Sequence, residues 1–82
     1  MEGLSDCFGF CVWIDGQRGR PLAVEYGFED AASTKAAALE AARRASPRGT
    51  VCFQIGYKCG VQLWRLEPDG TAIPDSRCLY KT

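Results

Sequence analysis

From Cys7 to Ile14 the chain alternates, with Phe8, Phe10, Val12 and Ile14 on one side and Cys7, Cys11 and Trp13 on the other. That period predicts a strand with two non-polar faces. The polar, Gly-bearing run Asp15-Gly16-Gln17-Arg18-Gly19 reads as a turn. After it, Leu22, Val24 and Tyr26 alternate with Ala23 and Glu25 as the returning strand of a hairpin, and Pro21 at its start suits a sheet edge. The period then lengthens. Asp30 is placed to cap a helix running to about Ala45, because its carboxylate can accept from the free amides of the first turn, with Ser33 a competing cap. Ala31, Ala38, Leu39, Ala42 and Ala45 fall on one side of that helix and Glu40, Arg43 and Arg44 on the other. Glu40 and Arg44 stand in the favourable i, i+4 order, and Pro47 with Gly49 ends the helix.

Alternation resumes at Thr50 to Ile55, with Val51, Phe53 and Ile55 opposed to Cys52 and Gln54. Gly56-Tyr57-Lys58-Cys59-Gly60 reads as a hairpin loop, Val61 to Leu66 as the next strand, and Pro68-Asp69-Gly70 as a turn. Thr71-Ala72-Ile73 and Cys78-Leu79-Tyr80 are short strand candidates separated by Pro74-Asp75. The order is ββαββ with a short C-terminal strand. This predicts an α+β fold, a mostly antiparallel four-stranded sheet with one helix on one face, filling residues 1–82 as a single domain.

One helix covers one face of such a sheet. If it covers Phe8, Phe10, Val12, Leu22, Val24, Val51, Phe53 and Val61, then Cys7, Cys11, Trp13, Cys52, Gln54, Gln62, Trp64 and Leu66 lie on the other. Two Trp on an open face make an apolar patch of the kind that marks association, and Trp is enriched among interface hot spots. Two readings stay open: a homodimer or partner surface, or a second small core made by Ile73, Leu79 and Tyr80 folding back.

Composition narrows the chemistry. In 82 residues, ten Lys plus Arg balance ten Asp plus Glu, with five Cys and no His. So short a chain buries only about 60% of its unfolded surface. Apolar residues at 46% and charged residues at 24% argue against disorder, and neutrality argues against a general polyanion binder. Without His, imidazole acid–base chemistry and imidazole metal ligation are excluded, and a nucleophilic Cys lacks its usual base. No glycine-rich phosphate loop leads into a helix. We therefore expect a non-enzymatic protein without a cofactor.

The first residues lack a basic and then apolar signal pattern, and no apolar run approaches the ~20 residues that span a bilayer. This predicts a cytoplasmic protein with no membrane partner. In that compartment Cys7, Cys11, Cys52, Cys59 and Cys78 are expected to stay mostly as thiols. A zinc site from Cys7-x3-Cys11 and Cys52-x6-Cys59 is disfavoured, because strand residues four apart sit ~13 Å from each other. A Cys11–Cys52 disulfide requires that the two pair directly. A Cys-based metal or redox domain remains an alternative function.

Arg43, Arg44, Arg48, Tyr57 and Lys58 gather near the helix C-terminus and the following loops, with Lys35 on the helix and Arg18 and Arg20 in the first hairpin. Cations at a helix C-terminus have a structural reason in the macrodipole. The same group forms a basic edge able to hold phosphate and stack a base, which keeps direct nucleic-acid binding as another alternative.

The stretch Ser33 to Ile73, with its Ala-rich helix, Gly49-Thr50-Val51, Leu63-Trp64 and Asp69-Gly70, resembles the helix, strand, strand plan of small phage-encoded anti-CRISPR proteins of type I systems. With Trp13 upstream and Asp69 to Ile73 downstream, it is also similar to a small bacterial domain family of unknown function. The first resemblance implies an inhibitor in the host cytoplasm that docks on a CRISPR effector complex and blocks DNA binding or nuclease recruitment. It carries over no functional residue, and this chain's neutrality departs from the acidic, DNA-mimicking members. The expected docking residues are Trp13, Gln62 and Trp64 on the open face, and Arg43, Arg44, Arg48, Tyr57 and Lys58 on a basic edge facing a protein or nucleoprotein partner.

Overall fold

A computed structural model describes residues 8–17, 19–57 and 60–78. Seven-residue strand β1 (Phe8–Ile14) is followed by β2 (Ala23–Phe28), helix α1 (Ala31–Ala45), a single 3-10 turn (Ser46–Arg48), β3 (Val51–Tyr57), β4 (Gly60–Leu66) and β5 (Ala72–Pro74). The sheet is antiparallel throughout in the order β2-β1-β3-β4-β5, with α1 on one face. The fold is the expected α+β arrangement, with a four-stranded core and a short fifth strand.

Asp30 caps α1 as its position predicts, its carboxylate accepting from the Ser33 amide at 2.7 Å. Ser33 is thus the donor in this cap. Thr34 is fully buried beneath the first turn and satisfies its hydroxyl by donating to Asp30 O at 2.6 Å. The Glu40–Arg44 pair forms at 3.2 Å on the exposed side. The inward stripe is Thr34, Ala38, Ala42 and Ala45, while Ala31 is exposed. Small side chains let α1 lie close to the sheet, so Phe10, Val12, Ile14, Val51, Phe53, Ile55 and Leu66 supply most of the core.

The faces of β1 and β3 follow the alternation, but β2 and β4 depart from it. Tyr57 pairs with Gly60, which sets Phe53 opposite Trp64 and Gly56 opposite Val61. Trp64 and Leu66 therefore lie on the helix side, and Val61 and Leu63 on the other. Hydrophobic alternation in β4 fits both parities; the register of the hairpin chooses between them. In β2, Cys11 pairs with Val24 and Gly9 with Tyr26, so both β2 side chains occupy the open face. The register shift between Phe8 and Gly9 coincides with Gly27 at φ +102°, a bulge that returns Phe28 to the helix side against Phe10.

The thiol expectation fails at two of the five cysteines. Cys52 and Cys78 form a disulfide with Cα atoms 6.0 Å apart. Cys11 faces Gln54, not Cys52, and is free. Cys7 and Cys59 lie outside the described residues, as do Leu79 and Tyr80 of the strand expected over 78–80, while Cys78 itself closes a turn.

Candidate interaction surface

The sheet face away from α1 divides into cross-strand rows. One row is Tyr26-Gly9-Gly56-Val61 and the next is Val24-Cys11-Gln54-Leu63. None of these eight residues is charged. Tyr26 is 77% exposed, Val61 60% and Val24 46%, whereas Cys11 and Leu63 are half-buried between them. Burial pushes the Cys11 thiol above its ordinary pKa, which keeps it protonated at neutral pH.

Gly9 has a steric role in this surface. A Cβ there would run into Tyr26 Cδ1 and come within 3.0 Å of Glu25 O, so the Tyr26 ring lies across a floor that only glycine leaves open. Gly9→Ala is expected to displace the ring and lower stability by about 1–3 kcal/mol, read from the urea midpoint. Among the described residues the β2 backbone has a neighbour on one side only and forms an edge of the sheet.

The third row, Trp13-Cys52-Arg65, is covered. Trp13 is 2% exposed beneath Cys78, in a small cluster with Cys52 against which Cys11 and Leu63 pack. The turn leading to Cys78 is fixed at Asp75, whose amide donates to Leu63 O at 3.0 Å and whose carboxylate meets Arg65 Nε at 3.1 Å. The Arg77 side chain and amide also donate to that carboxylate, at 3.2 and 3.0 Å, and with Arg65 they hold its pKa below the usual carboxylate range. The C-terminal segment thus covers one end of the open face through Cys78, while Ile73 stays exposed.

The two tryptophans expected together stand on opposite faces of the sheet. Trp64 stacks on Phe53 at 6.3 Å between centroids, and the Lys35 ammonium lies 3.8 Å over its ring. Gln62 pairs with Ile55 and is exposed on that same helix side.

No family model, curated protein or solved structure matches the chain.

The basic residues are partly committed within the chain. Arg43 donates twice to Gly70 O, at 2.9 and 3.1 Å, tying the helix C-terminus to the β4–β5 turn, and Arg44 pairs with Glu40. Arg48 is exposed on the 3-10 turn, the side chain of Tyr57 and all of Lys58 lie outside the described residues, and so does Arg18. Between Arg43 and the β4–β5 turn runs a groove of about 530 Å³, lined by Arg65, Glu67, Ser46 and Thr50 among others. Within it Arg65 stands 3.8 Å from Glu67, and Arg43 is committed to Gly70 O. Among the described residues no group of three or more Cys, Asp or Glu gathers as a metal site, and no helix is long and apolar enough to cross a membrane.

The residues that build this surface, Val24, Tyr26, Val61 and Leu63, were hidden by strand parity. Gly9 opposite an aromatic residue is the signal that could have placed Tyr26.

Three acidic side chains fix turns and respond alike to pH. Asp30 is held below its ordinary pKa chiefly by the Ser33 amide, Asp69 by the Thr71 hydroxyl at 2.7 Å, and Asp75 by Arg77. A carboxyl with a lowered folded-state pKa binds fewer protons in the native state than in the unfolded one. The stability it contributes is complete above the unfolded value, about 4, and drains away as pH falls through the lower folded one. Thermal midpoints between pH 6 and pH 2 should fall on the acid side, and Asp75→Asn should flatten that fall.

Proposed function

We propose that this chain is a small non-enzymatic binding protein that docks on a protein surface through its open sheet face. The observation that carries the reading is the uncharged double row with Tyr26, Val24 and Val61 exposed. These two rows offer apolar area and an aromatic anchor, Tyr26, to another protein and no cation to a phosphate backbone. Intramolecular acceptors at Arg43 and Arg44 make the basic edge a weaker site than its composition suggests. In its most specific form, which rests on the resemblance of residues 33–73 to the plan of small phage-encoded anti-CRISPR proteins, the proposal is an inhibitor seated on a host CRISPR effector complex of type I, acting in the host cytoplasm.

The test is target-DNA binding by purified type I effector complexes with the chain added. Wild type should inhibit, and Tyr26→Ser/Val61→Asp should lose inhibition while keeping its melting temperature, since both side chains are exposed. Equal inhibition by that variant, or none by wild type on any complex tried, rejects the specific reading. Mass measurement in solution adds a separate check: a wild-type dimer that the same substitutions dissociate would make a second copy the occupant. Retention on generic duplex DNA with steep salt dependence would move the function to the basic edge.

A further inference from the structure

We propose that the Cys52–Cys78 disulfide is a redox latch: cleaving it releases the turn over residues 75–78 and adds Trp13 to the open face. Three observations converge on this. The bond is the covalent link between the final described turn and the middle of the sheet. Beneath it lies Trp13, the largest fully buried side chain, on the same face as the exposed rows. Beyond the disulfide, the turn is held to the sheet by the Asp75 amide on Leu63 O and by an Arg65–Asp75 ion pair in which Arg65 is about one-third exposed and Asp75 only 9%. Its other hydrogen bonds, from Arg77 to Asp75 and from the Cys78 amide to Asp75 O, are internal to the turn and do not anchor it to the sheet. With the covalent tie cut, one hydrogen bond and one ion pair must offset the entropy of an ordered four-residue segment.

Once the latch is open, Trp13 borders Cys11 and Leu63 directly and extends the apolar rows, with Arg65 at the margin of the enlarged face. The electron donor is a dithiol. Its thiolate attacks Sγ of Cys78, the S–S bond breaks, and Cys52 leaves as a thiolate that takes a proton from water. The second donor thiol then closes on the mixed disulfide, leaving Cys78 as a thiol and the donor as a cyclic or intramolecular disulfide. Both half-cystines are buried, while Ser76 and Arg77 are exposed, so attack follows local opening of the turn. A reducing cytoplasm populates the open form and an oxidising setting the closed one. This exposure is independent of what binds the face.

The experiment uses the full chain carrying Trp64→Phe, so that Trp13 is the sole indole. Acrylamide quenching and far-UV circular dichroism are measured before and after dithiothreitol, with thiol release verified by alkylation and mass. The expected result is a several-fold rise in quenching, an emission shift to the red and unchanged secondary structure. Cys78→Ser should show the open values with or without dithiothreitol. Trp13 remaining shielded after complete reduction, or in Cys78→Ser, overturns the latch. Loss of secondary structure on reduction also overturns it, since the disulfide would then be a staple of the whole fold.

Discussion

Phe53→Ala is expected to cost about 3–5 kcal/mol, the usual range for truncating a buried aromatic residue. Phe53 is 0% exposed on β3, where Val12 pairs with it from one side and Trp64 from the other. The helix above contributes mainly alanines, whose short side chains cannot extend into the space left. A domain of this length has a total stability of roughly 4–12 kcal/mol. The variant should therefore unfold at a much lower urea concentration, or be partly unfolded without urea. Phe53→Leu, which retains most of the volume, should lose less than half as much. A Phe53→Ala midpoint close to wild type would contradict the packing described for the core.

The second large effect is loss of the disulfide. Cys52→Ala/Cys78→Ala opens a loop with a sequence separation of 26, and the chain-entropy relation gives about 3–4 kcal/mol for a loop of that size. For so small a domain that corresponds to a thermal midpoint lower by roughly 15–25 °C. Reduced wild type should melt at nearly the same temperature as the double variant, because both lack the same covalent tie. A shift of only a few degrees would mean that the bridged and open chains differ little in unfolded-state freedom. At 25 °C both reduced forms should keep the sheet and helix, the condition on which opening of the latch depends.

Element order, the Asp30 cap, the Glu40–Arg44 pair and the faces of β1 and β3 were legible in the sequence because each rests on local chemistry or a long alternating run. The site was less legible. Val61, Leu63, Trp64 and Leu66 offer apolar residues to both faces of β4, so the parity depends on the Tyr57–Gly60 pairing, which no residue type dictates. Val24 and Tyr26 face away from the helix through their pairing with β1, and the bulge at Gly27 lies beyond any period-two count. The disulfide joins residues brought together only once β5 has returned along β4. Its formation required the tertiary fold, whereas the thiol expectation rested on compartment alone.

The Cys52–Cys78 bond also partitions the chain. β3 from its second residue, β4 and β5 lie inside the bridged interval, and β1, β2 and α1 lie before it. A protease cut within the β4–β5 turn, at exposed Pro68 or Asp69, leaves two pieces that migrate together on a non-reducing gel and separate only after reduction. A cut in the exposed β1–β2 turn at Gly16 or Gln17 falls outside the Cys52–Cys78 interval, so that bond does not hold its fragments together. The two hairpin ends of one small sheet thus differ in whether the Cys52–Cys78 bond spans them.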